Sequence, residues 1–130
     1  MKIKPACKEF NTDSFSLALR VNYAHVTYLD PSDLDLQTLN EVRSHLREYY
    51  QGRDFVLINE RINDIVINPK YHKDSLKNMK AVAIVSKNEN WRERLCQEQK
   101  NSTRSFAFFK DIEDAQLWAD HFMEYRIEKT

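Results

Sequence analysis

Glycine is almost missing from this chain: Gly52 is the only one in 130 residues. Loops that cradle phosphates need several glycines whose backbones can approach the ligand, so nucleotide binding of the P-loop or dinucleotide type is excluded. Cysteine is nearly as scarce. Cys7 and Cys96 stand far apart with no Cys-x-x-Cys pair, which rules out a disulfide scaffold or a thiolate zinc site and fits free thiols in a reducing cytoplasm. The four histidines, His25, His45, His72 and His121, fall in different parts of the chain without His-x-x-x-His or Glu-x-x-His spacing, so no metal centre or histidine-based acid chemistry is expected. Neither sign of charge dominates, with Lys plus Arg at 20 and Asp plus Glu at 20. Because phosphate neutralisation supplies most nucleic-acid affinity and calls for a basic excess, no nucleic-acid partner is expected. No apolar run approaches the 18 residues of a membrane span, and the segment Met1 to Glu9 lacks a signal-peptide core. The expectation is a cytoplasmic protein with no membrane span.

What the chain does have is a set of short apolar runs. A chain of this length buries roughly two-thirds of its unfolded surface, enough for one domain with one core spanning residues 1–130. Phe55-Val56-Leu57-Ile58 and Ala81-Val82-Ala83-Ile84-Val85 are unbroken by polar residues, and Phe106-Ala107-Phe108-Phe109 is a third run of that type. Such runs describe strands covered on both faces, the interior of a parallel sheet. All three are therefore predicted as adjacent inner strands running the same way.

The N-terminal part reads differently. Phe15, Leu17 and Leu19 alternate with polar or small residues, and alternation resumes from Tyr23 to Leu29. That period marks strands with one wetter face, either a hairpin turning near Val21-Asn22 or one long bent strand. Residues 1–12 are a frayed lead-in or a short edge strand. Asp30 to Asp35 forms a turn ending in capping residues, and the helix after it places Leu36, Leu39, Val42, Leu46 and Tyr49 or Tyr50 on one face. Gly52 sits where a left-handed cap is wanted. Pro69 opens a helix through Tyr71, Leu76 and Met79. Asn88-Glu89-Asn90 caps another that holds Trp91, Leu95 and Cys96 inward. Asp111 caps the last helix, whose Ile112, Ala115, Trp118, Ala119, Phe122 and Met123 make the widest apolar stripe. The predicted order is β-β-α-β-α-β-α-β-α: an α/β fold, a mixed sheet with antiparallel N-terminal strands and three parallel strand-helix units.

The run from Phe55 to Asn63, the segment Val66-Ile67-Asn68-Pro69, the stretch Leu76 to Ser86 and the stretch Phe106 to Trp118 together resemble the STAS-like (SpoIIAA-like) domains of small bacterial proteins. The likeness follows the element order over residues 14–123 and is densest over 55–118. It implies a non-enzymatic module that works by binding a protein partner or a second copy of itself, with no cofactor. Members of that kind are switched by phosphorylation of a serine in an Asp-Ser-Ser/Thr-Gly segment. The one comparable pair here is Asp74-Ser75, which lacks the following glycine and stands late after the strand, so phosphorylation of Ser75 is not expected.

An alternative comes from the residues themselves. Ligands of open α/β sheets gather beyond the carboxyl ends of the parallel strands. Asn59, Arg61, Ser86, Lys87 and Lys110 follow three such strands and would converge on an anionic group if the strands are neighbours. The bland explanation is that a chain leaving a buried strand must meet water. Acid pairs Asp33/Asp35 and Glu113/Asp114 sit at helix starts, where the helix dipole accounts for them. Cys96 is expected as a buried, inert thiol. Tyr23, Tyr28, Tyr49, Tyr50 and Tyr71 are the candidates for exposed, interface-forming aromatics.

Overall fold

A computed structural model describes residues 7–29, 35–62, 76–87 and 105–128. Six strands, β1 (Lys8–Asn11), β2 (Phe15–Leu19), β3 (Tyr23–Tyr28), β4 (Phe55–Glu60), β5 (Met79–Val85) and β6 (Ser105–Phe109), form one sheet whose spatial order is the order of the sequence. Two helices accompany it among the described residues, α1 (Leu36–Tyr50) and α2 (Ile112–Glu128). The β1–β2 and β2–β3 pairings are antiparallel and the three pairings from β3 to β6 are parallel. The chain is thus an α/β fold whose mixed sheet begins antiparallel and continues parallel. Of the helices predicted after Pro69 and Asn88, all but the end of the first lies outside the described residues.

The N-terminal alternation resolves into a hairpin. Phe15, Leu17 and Leu19 are buried while Ser16 and Ala18 are half-buried on the opposite face, and Arg20 N–H donates to Tyr23 O at 2.9 Å to close the turn. The lead-in supplies a real edge strand, β1, which is polar and mostly exposed, as suits an edge that must not recruit other chains. Thr12 shapes the preceding turn: its hydroxyl accepts from Ser14 and Phe15 N–H at 3.1 and 3.0 Å.

α1 starts where the Asp35 carboxylate accepts the Thr38 N–H at 2.7 Å. It buries Leu39, Val42, Arg43, Leu46, Tyr49 and Tyr50, spacings of three and four that keep one stripe on the sheet. One expectation fails here: Leu36 is exposed, because it stands at the helix start before the stripe reaches the sheet. Arg43 joins the buried stripe. The left-handed cap is Gln51, at φ 47° and ψ 49°, with Gly52 following at φ 85°. Glycine therefore completes the reversal after Gln51 has begun it. Arg53 closes the helix end by donating from Nε to Tyr50 O at 3.0 Å and from Nη2 to Tyr49 O at 2.7 Å.

Each strand sends alternate side chains to opposite faces. On the α1 face lie Phe15, Leu17, Leu19, Val26, Phe55 and Ile84, each fully or almost fully buried, where full burial contributes roughly 1.5–3 kcal/mol per large side chain. Tyr50 anchors this layer, stacking on Phe55 with ring centroids 4.1 Å apart and donating its hydroxyl to Arg20 O at 2.8 Å. Tyr28, Tyr49 and Tyr50 are core residues, and Tyr23 is half-buried; none of these four tyrosines forms an exposed aromatic surface. On the other face Val56, Ile58, Ala81, Ala83 and Val85 meet Ala115, Ala119 and Met123 of α2.

The largest correction concerns β6. Its apolar run predicts an inner strand, yet among the described strands β6 lies at one rim of the sheet, opposite β1, and its residues Phe106 to Phe109 are only half-buried. Apolar side chains report what covers the two faces of a strand, whereas an inner position is a matter of backbone partners on both flanks, which side chains do not encode. Residues 76–79 are also not helical: Leu76 to Asn78 turn, and β5 begins at Met79. Phe55 N–H donates to Asn78 O at 3.0 Å and Asn78 Nδ2 to Arg53 O at 2.8 Å, which draws this segment into the start of the sheet.

Candidate functional site

The sheet's parallel strands end together, and polar residues follow each of them. Arg61 N–H donates to Val85 O at 2.8 Å and Ser86 N–H to Phe109 O at 3.0 Å, so the ladder continues one residue past β4 and β5 and holds the three tips level. A cavity of about 410 Å³ opens at this rim, lined by Glu60, Arg61 and Ile62 after β4, by Val85, Ser86 and Lys87 after β5, and by Lys110 after β6. Four of the five residues named from sequence therefore meet at one place. Three cations face one carboxylate there.

Asn59 is not among them. Side chains along β4 alternate, so Leu57, Asn59 and Arg61 belong to the α1 face and Glu60 to the other. Glu60 is the cleft residue that the sequence reading omitted. Its carboxylate Oε1 lies 2.9 Å from His25 Nε2 and accepts the Thr27 hydroxyl at 3.5 Å. The parallel register places Thr27 opposite Glu60, which explains why a histidine and a glutamate 35 positions apart meet. An ionised carboxylate only accepts, so Nε2 is the donor. Strand parity was the available signal, but it needed the β3–β4 register.

Arg61 also faces inward. Asn59 and Arg61 form part of a second, smaller cavity of about 50 Å³ between α1 and the sheet. Its walls are aliphatic: Leu39, Val42 and Leu46 from α1, and Leu57, Val82 and Ile84 from the sheet. The three buried polar or charged side chains among the described residues, Arg43, Asn59 and Arg61, all line it. Tyr28 lines it as well, and burial drives its hydroxyl well above the ordinary tyrosine value while Arg61 and Arg43 pull in the opposite direction. The Asn59 side-chain oxygen is buried and has no hydrogen-bond partner among the described residues.

No protein-family model matches the chain, and no curated protein or solved structure matches it. The STAS-like resemblance stands on the quoted residues alone. Among the described residues no group of three His, Cys, Asp or Glu side chains could hold a metal ion, and no helix is long and apolar enough to cross a membrane. Cys7 is an exposed free thiol. Ser75, Cys96 and His72 lie outside the described residues.

Proposed function

We propose that this chain binds a small anionic ligand at the carboxyl ends of β4, β5 and β6. The observation that carries this reading is the cleft: Arg61, Lys87 and Lys110, from three separate strand ends, line one cavity of about 410 Å³. A surface serving only to bring the chain back to water would be flat there. Strand ends are the customary ligand position of open α/β sheets, and Ser86 adds a hydroxyl that can donate to an anion. Binding rather than catalysis is the assigned activity.

The test is a titration of the full chain with inorganic phosphate and with acetate, read by calorimetry and by thermal shift against chloride at equal ionic strength. Saturable binding that the exposed-side-chain variant Lys87→Glu/Lys110→Glu loses supports the reading. A shift that chloride reproduces, or that survives the double variant unchanged, removes it.

A second reading is the STAS-like interaction module, acting on a protein partner or on another copy of itself. The mixed sheet favours it, as does the single-sided pairing of β1 and β6 at the two rims among the described residues. The rim position of β6 among the described strands counts against it, since the predicted topology placed three strands inside the sheet. A monomer by light scattering that captures no protein would leave the ligand reading alone.

A further inference from the structure

We infer that the ligand of the strand-end cleft is a short aliphatic acid bearing a hydrogen-bond-donating group, whose carbon tail enters the cavity beneath α1 and whose donor is received by Asn59. This rests on the anion-binding reading and specifies what kind of anion is bound. Arg61 lines both spaces. On the cleft side it joins Lys87 and Lys110. On the inner side it borders, with Arg43 nearby, walls that are mostly apolar and suit a hydrocarbon chain.

Asn59 supplies the second, independent observation. It is 4% exposed, it lines the inner cavity, and its Oδ1 is buried without a hydrogen-bond partner among the described residues. An amide oxygen left so in a protein interior is costly, and a leucine of similar shape would remove the cost. An acceptor beside an aliphatic cavity is complementary to a hydroxyl or ammonium group carried on an aliphatic chain. The size of the space limits the chain. About 50 Å³ at roughly 25–30 Å³ for each water-sized group holds about two such groups, which suits a tail of two or three carbons and excludes a fatty acid.

The experiment compares acetate, butyrate, hexanoate, 2-hydroxybutyrate and 3-hydroxybutyrate on the full wild-type chain and on Asn59→Leu, with inorganic phosphate as the reference anion. On the wild type, affinity should rise by about threefold per methylene from acetate to butyrate and level off by hexanoate. One of the hydroxybutyrates should exceed butyrate by about fivefold or more. In Asn59→Leu the hydroxyl preference should vanish while phosphate binding stays, and the unliganded variant should melt no lower than the wild type, which shows that it folds. Equal affinity for acetate and butyrate, binding of phosphate but of none of the acids, or a hydroxyl preference that survives Asn59→Leu each overturns the inference while leaving the anion site intact. Failure of phosphate and of every acid overturns both.

Discussion

The two faces of the sheet are built on opposite plans. Under α2 the centre of the contact is small: Ala81 and Ala83 of β5 and Ala115 and Ala119 of α2 are all fully buried, among Val56, Ile58 and Val85. Small side chains let a helix approach closely and leave little space between the layers. Under α1 the sheet presents Phe15, Phe55, Tyr28 and Leu17 to a helix that itself contributes tyrosines and leucines, and bulky shapes that do not interlock completely leave the cavity that Asn59, Arg43 and Arg61 line. The difference teaches where change is tolerated. One face is closed by small side chains, and the other keeps a cavity of about 50 Å³.

The comparison can be broken most forcefully at Phe55, which is fully buried and stacked on Tyr50. Phe55→Ala should destabilise the chain by about 3–5 kcal/mol, measured by urea denaturation; a loss below about 1 kcal/mol would mean that the α1 layer is not the core described here. A matched pair of enlargements then sharpens the contrast. Ala83→Leu forces extra atoms into the alanine layer and should cost about 1–3 kcal/mol. Val82→Ile, its neighbour on β5, adds one methylene toward the cavity and should leave stability within about 1 kcal/mol of the wild type or raise it. Equal penalties at the two positions would show that both faces are packed alike.

The smallest effect lies at the start of α1. The backbone and side-chain hydrogen bonds from Thr38 hold the Asp35 carboxyl below its ordinary value of 3.8. A depressed carboxyl contributes stability that is present above the unfolded value and is lost as pH falls through the folded one. The urea midpoint of the wild type should therefore decline more than that of Asp35→Asn as pH is lowered from 5 toward 3. Parallel curves would show that this cap carries no charge-dependent share of α1's stability.

Much of this architecture could be read along the chain because it is locally written. Alternation in 15–19 and 23–28, unbroken apolar runs in 55–58 and 81–85, and the stripe from Leu39 to Tyr50 each follow from the period of a strand or helix. Ser86, Lys87, Lys110 and Arg61 could be named as a cluster because they directly follow strands that end together. Glu60 and His25 could not, since their meeting depends on which residue of β3 stands beside which residue of β4. The same holds for Asn59. Its place after an apolar run marked it as polar and terminal, but only strand parity turned it away from the cleft and under α1.

Composition and period by themselves determined most of the element types and the mixed character of the sheet, because these depend on residues within a few positions of one another. The rim place of β6 among the described strands, the burial of Arg43 and the tyrosines, and the share of Arg61 in the lining of two cavities were decided only in three dimensions. Each depends on backbone partners or facing layers contributed from distant positions, and no local periodicity records them.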